Sequence, residues 1–515
     1  MTRVLRSLAV ISLLAVGLTV GGCDLSELNE NPNAATSANP AELLTNAQLD
    51  LAATYWQDYP GGFWMRYSQY ITTNQYTDGD RFLYPSARGG ANNANFRDFY
   101  YVLNDLQEIV RAPGQASIYG PEANQVAIAK ILQAWTFHLL TDMYGPIPYT
   151  DALQGDVTGG EFRPSYTSQE EIYTSLIDSL TAASNMIQTG SSALADGDLM
   201  YGGDMSNWKA FANALKMRVA MRMSDQMPQA AATAIDEAVQ AGAFDGNDQN
   251  AVIPFGSSQP YTNPMWAQYE IEGRDDWAAP QGIAGVMNSS EDPRRSAYFS
   301  DADADSAGSQ FNGFPYGLNQ GPAQSLFTDP DLDFSRPGPR VRGSASEPAI
   351  LMLYDEVLFI KAEAALRSDM SVPSITEDPE QLYQDAITAS VERWTGSDAG
   401  ASTLIGNLPM PGDSGFEVDQ DLAVQKWIAQ YMQGVQGWST WRRTDFQGVL
   451  QIPPGNPGQD AFGRDIAVRM SYPTDEATLN GENLSAAVSN LLGGSGGEDD
   501  QGTLLWWDTE YQSPR

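Results

Sequence analysis

Segments with helical spacing of apolar residues dominate this 515-residue chain, whereas the alternating pattern of strands is rare and short. One such segment begins at Pro121, which suits a first helical turn, and ends where Gly145-Pro146 cannot continue a helix. Another follows a capping box formed by Ser168 and Glu171. Further helices are predicted over residues 206–225, 347–367, 378–394 and 419–434, the last two with Asp378 and Asp419 as caps. The pattern predicts an all-α fold.

Two long regions interrupt the helical pattern. Residues 244–346 are rich in Gly, Pro, Asn, Asp and aromatic residues and have almost no periodicity. Loops of that length are usually functional or disordered, and the many aromatic residues argue against disorder. A second loop region, residues 73–93, lies between two predicted helices and also carries aromatic and charged residues. We therefore expect ligand-binding residues in these two regions.

The N-terminus has the pattern of a bacterial lipoprotein signal. Early arginines are followed by an apolar run too short to span a bilayer and by small residues directly before Cys23, the single cysteine of the chain. Cys23 is then the predicted acceptor of a lipid anchor, the alternative being an ordinary secretory signal. Polar residues 24–40 suit a flexible tether. The predicted organisation is a signal peptide over 1–22, a lipidated tether over 23–40 and a helical domain over 41–515.

Charge excludes one class of partner. The chain has 65 Asp and Glu against 28 Lys and Arg, a formal net charge of −37. Such a chain cannot neutralise phosphates along a duplex, so no nucleic-acid partner is predicted. An acidic, lysine-poor surface stays soluble when salt screens charge, and we interpret the excess as adaptation to a saline habitat.

A series of short segments occurs in a characteristic order along the chain. They are Asn31-Pro32-Asn33, Thr141-Asp142-Met143-Tyr144-Gly145-Pro146-Ile147-Pro148-Tyr149, Asp198-Leu199-Met200-Tyr201-Gly202-Gly203-Asp204 with Trp208 and Arg218, Asp292-Pro293-Arg294, Tyr354 with Glu356, Ala362-Glu363-Ala364, Gln425-Lys426-Trp427, Arg442-Arg443-Thr444, Arg469-Met470, Tyr472-Pro473 and Trp506-Trp507-Asp508. In this order they resemble the SusD-like branch of the SusD/RagB family of outer-membrane lipoproteins. The resemblance extends over nearly all of the chain after Cys23.

The resemblance implies a tetratricopeptide-like helical superhelix with long loop-rich ligand-binding insertions, here residues 244–346. It also implies a surface-exposed, lipid-anchored protein of the outer membrane that forms a lid on a SusC-like TonB-dependent transporter. Family members capture a nutrient, usually a glycan and in the RagB branch a peptide, and pass it on without cleaving it. These motifs are mostly scaffold signatures and do not identify the ligand.

Aromatic residues of the two loop regions are the candidate ligand-binding residues. Sugar rings have apolar C–H faces that pack on flat aromatic rings, while polar side chains satisfy the hydroxyl groups. Trp266 and Trp277 are the first candidates for such a platform. The further candidates are Tyr269, Tyr76 and Tyr84, with Arg81 and Asp276 as hydrogen-bonding neighbours. The alternative is that these side chains only attach the loops to the helical body.

The remaining charged motifs have structural interpretations. Arg442 and Arg443 are predicted to pair with helix acids such as Glu356 or Glu363, although they could also hold a ligand. His138 is the single histidine and is predicted to be a packed core residue, which excludes a Ser-His-Asp triad or a His-rich zinc site.

No metal, cofactor or catalytic residue is predicted. An Asp repeat at residues 301–305 imitates a calcium loop, but Ser306 and Asn312 replace the glycine and glutamate that such a loop needs. The predicted function is capture of an oligosaccharide for the transporter. Peptide capture and a glycoside hydrolase on a helical scaffold stay open as alternatives, because the many acids cannot exclude a catalytic carboxylate pair.

Overall fold

The computed structural model describes residues 39–56, 63–83, 88–155, 159–302, 311–494 and 496–514. The predicted signal with Cys23, residues 24–38 of the predicted tether, Tyr84, and Asp303 with Asp305 lie outside these residues. Pro40, the last residue of the predicted tether, instead opens the first helix. From Pro40 onward the described residues form one compact unit. Within the described ranges, no helix combines the length and apolar character needed to cross a membrane.

The N-terminal half is a layered array of helices. They are α1 (Pro40–Trp56), α2 (Trp64–Tyr67), α3 (Gly89–Arg111), α4 (Ala116–Tyr119), α5 (Glu122–Tyr144), α6 (Gln169–Met186), α7 (Met205–Arg222) and α8 (Pro228–Ala241). The long helices pack in chain order, α1 on α3, α3 on α5, and then α5, α6, α7 and α8 each on the next. This helix-on-helix stacking confirms the predicted all-α array.

The long loop region contains short helices, and the chain after it returns to longer ones. The short helices are α9 (Pro264–Glu270), α10 (Gln281–Ser289), α11 (Arg295–Tyr298), α12 (Gln320–Phe327) and α13 (Pro339–Arg342). The C-terminal helices are α14 (Tyr354–Leu366), α15 (Pro379–Thr395), α16 (Ala401–Gly406), α17 (Ala423–Ala429), α18 (Gly434–Thr444), α19 (Pro457–Phe462), α20 (Thr474–Leu479) and α21 (Gly481–Asn490). Helix α14 packs on α15 and on α7, which joins the two halves of the fold.

Strands are short and occur in antiparallel pairs. They are β1 (Thr72–Thr73), β2 (Ile147–Pro148), β3 (Tyr166–Thr167), β4 (Ala251–Ile253), β5 (Trp277–Ala278) and β6 (Ala349–Met352). The pairs are β1 with β5, β2 with β3 and β4 with β6. The pairs β1–β5 and β4–β6 join segments far apart in the chain, whereas β2 and β3 are neighbours in sequence. Short strands agree with the rare and short strand signals of the sequence.

Local signals placed several helix ends correctly. Helix α5 stops at Gly145, whose φ of +95° suits glycine, and the Gly145 N–H donates to the Thr141 carbonyl at 2.9 Å. Ser168 Oγ accepts the N–H of Glu171 at 3.3 Å, as the capping box requires. Asp378 caps α15 in the same way through the N–H of Glu380 at 3.0 Å.

Two other predicted helices were partly wrong. The helix predicted over 347–367 begins only at Tyr354, because residues 349–352 pair with β4 as strand β6. The helix predicted over 419–434 starts as a π-helical turn, Val418–Leu422, that contains Asp419 instead of being capped by it. Gly434 opens helix α18 and does not end the preceding helix. Tertiary pairing and a turn type without a sequence signature overrode the local pattern in these places.

A buried ionic cluster joins helices α7, α14, α17 and α18. Arg218 Nε donates to Glu356 Oε1 at 2.8 Å, and both side chains are buried. Glu363 pairs with Arg443 and lies 3.2 Å from Lys426 Nζ. Burial opposes the charge of Glu363, but Arg443 and Lys426 lower its pKa to about 2. The prediction that Arg443 pairs with a helix acid is confirmed.

The same prediction was wrong for Arg442. Its Nη1 donates to the carbonyl oxygens of Asp142 and Val468, at 2.8 and 2.9 Å, and its guanidinium lies 3.8 Å from the ring centroid of Trp438. Backbone carbonyls and an aromatic face therefore satisfy this buried cation, and no carboxylate of the described residues pairs with it directly.

His138 packs in the core as predicted. The side chain is buried, its Nε2 is 3.5 Å from Asp142 Oδ2, and its ring meets that of Tyr173 edge to face. Burial lowers the pKa of His138 to about 4 despite the nearby Asp142, so the imidazole is neutral at physiological pH.

We expect Glu363→Gln to lower the free energy of unfolding by about 3–5 kcal/mol, because it leaves Arg443 and Lys426 buried without their shared carboxylate. The matched control is Glu377→Gln, since Glu377 pairs with Lys361 but is 44% exposed. The control substitution should lower the free energy of unfolding by less than about 1 kcal/mol. Urea denaturation of both variants measures the difference, and equal losses would contradict a structural role for the buried cluster.

The difference in unfolding free energy between the wild type and Glu363→Gln should also depend on pH. The folded pKa of Glu363 is about 2 against an ordinary value of 4.5. The stability that the carboxylate contributes is therefore complete above pH 4.5 and is lost as the pH falls toward 2. Denaturation of both proteins over this range should show the difference shrinking, and a constant difference would refute the assignment.

Candidate ligand-binding groove

A two-residue strand pair brings the two predicted loop regions together. Strand β1 pairs with β5 so that Thr72 faces Ala278 and Thr73 faces Trp277. The backbone N–H of Asn74 extends the ladder by donating to the Asp276 carbonyl at 2.9 Å. The loop that follows β1 is thereby fixed against the region of β5, as ligand-binding loops on a rigid scaffold need to be.

Asp80 holds the first loop in place from inside. Its Oδ2 accepts from Thr72 Oγ1 at 2.8 Å and from the Thr73 N–H at 2.7 Å, and the carboxyl group is fully buried. Burial raises the pKa of Asp80 to about 6, against the lowering effect of Arg66 and of these hydrogen bonds. The loop turns around this carboxyl group, which positions Tyr76 and Arg81 on its outer side.

An open groove of about 400 Å³ lies beside this junction, and we call it the Arg274 groove. Its lining residues are Tyr269, Gly273, Arg274, Asp275, Ser300, Asp301, Asp333, Phe334, Arg336 and Arg342. Three arginines and three aspartates balance each other in charge. The apolar cluster of Ala278, Phe314 and Ala323, against which Phe334 packs, supports one wall.

Ion pairs and ring contacts fix the groove's arginines. Arg274 Nε donates to Asp276 Oδ2 at 2.8 Å, and Arg336 Nη2 lies 2.9 Å from Asp275 Oδ2. Burial opposes the charge of Arg336, but the hydrogen bonds to Asp275 raise its pKa. The guanidinium of Arg342 lies 4.2 Å from the ring centroid of Tyr269. The groove therefore presents donors and acceptors in fixed orientations.

Of the predicted residues, Tyr269 lines the groove, and Tyr76 lies beside it next to Arg274. The guanidinium of Arg274 lies 5.8 Å from the ring centroid of Tyr76, whose side chain is 39% exposed. The guanidinium of Arg88 lies 5.2 Å from the same ring centroid. Tyr269 is half-buried and lines the groove directly. A ligand in the groove can therefore contact the half-buried ring of Tyr269 directly and meets the exposed ring of Tyr76 where it extends past Arg274.

Trp277 does not offer a platform in this structure. Its side chain is fully buried, with the guanidinium of Arg274 5.0 Å from its ring centroid and the ring of Tyr269 at 5.5 Å. A ligand cannot stack on a ring without an exposed face. Trp277 instead supports Arg274 and Tyr269 from beneath, and Asp276 orients Arg274 as a hydrogen-bonding neighbour.

Trp266 and Arg81 also lie outside the groove lining. Trp266 is half-buried on α9, where Asn263 caps the helix through the Trp266 N–H. Arg81 Nη1 donates to the carbonyls of Gly317 and Pro454, at 3.0 and 3.1 Å, and so ties three loops together. Tyr84 lies outside the described residues. Whether any of these residues contacts a ligand stays a prediction.

Sequence reasoning missed the arginines of the groove. Arg274, Arg336 and Arg342 are spread over loops without periodicity, and no motif marks them. The only available signal was the density of arginine and aspartate among aromatic residues between 269 and 342. Among the described residues, no group of His, Cys, Asp and Glu is arranged to hold a metal ion.

Comparison with known families identifies the scaffold on which this groove is built. A SusD-like family model, described as starch-binding and associating with the outer membrane, matches residues 32–473. The chain belongs to the SusD-like family. No curated protein matched the chain.

Solved SusD homologues share the fold over almost their whole length. A SusD homologue from Bacteroides uniformis is 24% identical with a TM-score of 0.72, over 91% of this chain and 99% of that one. A chitin-binding SusD homologue from Flavobacterium johnsoniae is 24% identical with a TM-score of 0.71, over 92% and 98%. One from Bacteroides thetaiotaomicron is 22% identical with a TM-score of 0.74, over 92% and 100%. These comparisons confirm the predicted SusD-like helical fold, and the Arg274 groove lies in its loop-rich part.

Proposed function

We propose that this SusD-like protein binds an oligosaccharide in the Arg274 groove and delivers it to a SusC-like TonB-dependent transporter of the outer membrane. Family membership supports a nutrient-binding role, because the family is described as starch-binding and associating with the outer membrane. The observation that carries the ligand class is the groove itself, which combines the half-buried phenol ring of Tyr269 with fixed arginine and aspartate side chains and has the exposed ring of Tyr76 beside it.

The chemistry of the groove suits a glycan. A pyranose has an apolar face that packs on a ring such as Tyr269 or Tyr76, and its hydroxyl groups both donate and accept hydrogen bonds. The fixed guanidinium groups supply donors and the aspartates supply acceptors. Because the charges of the lining balance, an uncharged oligosaccharide is favoured over a strongly charged one. A related structure is described as a chitin-binding SusD homologue, and chitin is a polymer of this kind.

A binding role is favoured over catalysis. The family description is one of binding. Within the groove Asp275 is already engaged by Arg336, whereas a glycosidase needs one free carboxylate and one protonated carboxyl on either side of the bond to be cleaved. A ligand screen that returned a peptide in place of a glycan would indicate peptide capture instead.

The anchor proposed for this protein is a lipid on Cys23. The apolar run, the small residues and the cysteine support it, and the family's association with the outer membrane agrees with such an anchor. A tether between Cys23 and helix α1 would let the helical domain stay close to a membrane-embedded transporter while it exchanges ligand.

Tyr76→Asn should weaken binding of a neutral oligosaccharide by roughly tenfold, because it removes an apolar ring face worth about 1.5 kcal/mol. Asparagine tolerates the positive φ of this position, 55°, so the loop should keep its shape. The ligand is first found on an array of glycans and peptides, and affinity is then measured by calorimetry at low and high salt.

Tyr269→Ala should also weaken binding of the oligosaccharide. The matched control is Tyr261→Asn. Tyr261 is 59% exposed in the same loop region, does not line the groove and, unlike Tyr76, has no ring contact with Arg274 among the described residues. Its substitution should leave affinity unchanged. An oligosaccharide whose binding survives both Tyr76→Asn and Tyr269→Ala would place the site elsewhere, and a peptide as the only array hit would contradict the glycan assignment.

Cys23→Ala should abolish acylation and leave the protein periplasmic or released, since no other cysteine can accept the lipid. Labelling with radioactive palmitate, followed by fractionation of the cells, measures both effects. Cys23→Ser keeps a small polar residue at the site and controls for folding. Label that persists in either variant would show that the signal has been misread.

A further inference from the structure

A second cleft, of about 430 Å³, lies between helices α3, α5 and α6, and we call it the Lys130 cleft. Lys130, Gln133 and Phe137 point into it from one face of α5, at the spacing of successive helical turns. Arg111 enters from the end of α3, and Tyr149 belongs to the loop that closes the cleft after β2. The cleft shares no lining residue with the Arg274 groove.

The charge of the Lys130 cleft is opposite to that of the whole chain. Its lining contains two cations, Arg111 and Lys130, and no aspartate or glutamate. The chain as a whole has 65 acids against 28 lysines and arginines. The Arg274 groove balances its charges, and two further clefts that share Thr509 are lined by more acids than bases. A cation-lined cleft in such a chain marks a preference for an anionic ligand.

The two cations are held differently. Arg111 pairs with Glu108 at 2.8 Å and also donates to the Leu153 carbonyl, so it fastens the closing loop to α3. Lys130 is half-buried, and no ion pair to its ammonium group is found among the described residues. Lys361 and Lys426, by contrast, are paired with glutamates. The Lys130 ammonium is thus the group available to a bound anion.

The rest of the lining matches the polar body of a sugar. Gln133 Nε2 donates to Gln107 Oε1 at 3.0 Å, which fixes two amides side by side. The rings of Phe137 and Tyr149 meet edge to face at 4.8 Å, so the cleft also has an apolar wall. The volume lies within the range of small-molecule sites, which starts at about 300 Å³.

Acids occur only around the cleft. Burial, and then the carboxylates of Glu171 and Asp178, raise the pKa of Tyr149 to about 12, so its phenol is a neutral hydrogen-bond donor. Neither of those acids is part of the lining. Like charges at the rim favour a ligand whose single carboxylate sits deep, beside Lys130, with its hydroxyl groups outward.

We propose that the Lys130 cleft is a second ligand site, which binds a carboxylate-bearing sugar of the hexuronate class. The carboxylate pairs with the ammonium group of Lys130, the amides of Gln107 and Gln133 contact hydroxyl groups, and the sugar ring packs against Tyr149. The inference goes beyond the neutral oligosaccharide proposed for the Arg274 groove and does not depend on it.

Calorimetry on the purified full chain tests the proposal with three probes: glucuronate, the matched uncharged sugar glucose, and acetate, which has the charge without the ring. Glucuronate should bind most tightly, and its affinity should fall as salt is added. Lys130→Gln should lower the affinity for glucuronate by roughly ten- to hundredfold, which corresponds to the loss of one charge-assisted hydrogen bond. Lys130→Arg, which keeps the charge, should retain most of the affinity.

Lys209→Gln on α7 is the matched control, since it removes one positive charge outside the cleft and should leave glucuronate affinity unchanged. Glucose or acetate binding as tightly as glucuronate, no binding at all, or no effect of Lys130→Gln would each overturn the proposal. Tyr76→Asn separates the two sites. If it abolishes glucuronate binding, the acidic sugar occupies the Arg274 groove and the Lys130 proposal fails, while the proposed function stands.

Discussion

The buried ionic cluster at the centre of the helical body is the constraint on which the rest of the structure depends. Arg218 of α7, Glu356 and Glu363 of α14, Lys426 of α17 and Arg443 of α18 come from distant parts of the sequence and meet where water is excluded. Charges in such a place are tolerated only with well-placed partners, and loss of one leaves the others unpaired. A shift of any of these helices would separate a pair, so the cluster specifies one arrangement of the α-helical layers.

The Arg274 groove depends on this helical body indirectly. Its loops have no long strand or helix of their own, and the pairing of β1 with β5, with Asp80 buried beneath, replaces such an element. A short ladder is weak alone. It holds here because Trp277 is packed in the core, with Arg274 and Tyr269 above it. Trp277, which was predicted to contact a ligand, thus supports the site from inside the core instead.

The sequence contained enough information for most of the helical body and for little of the groove. Helix α5, the Ser168 cap and the Asp378 cap were predictable because glycine stops and side-chain caps act within a few residues. Strand β6 was not, because its pairing with β4 is a tertiary contact between segments far apart in sequence. The loop regions that build the groove could be located from composition, and Tyr269 with them. Burial of Trp277 and the meeting of Arg274, Arg336 and Arg342 depend on how the loops fold back, for which no local pattern exists.

Cations are scarce in this acidic chain, and their placement is therefore informative. Many of the described arginines and lysines have a carboxylate partner, either in the core, as for Arg218, or beside the groove, as for Arg336. Arg442 departs from this pattern and is satisfied by backbone carbonyls and an aromatic face. Lys130 departs from it in a cleft that has room for a ligand. A high-salt habitat would screen exposed charges far more than those inside a cleft. Recognition by a partly buried cation therefore loses less strength in salt than long-range attraction across the acidic surface does. The interior of clefts is thus the place where such a protein can select an anionic sugar.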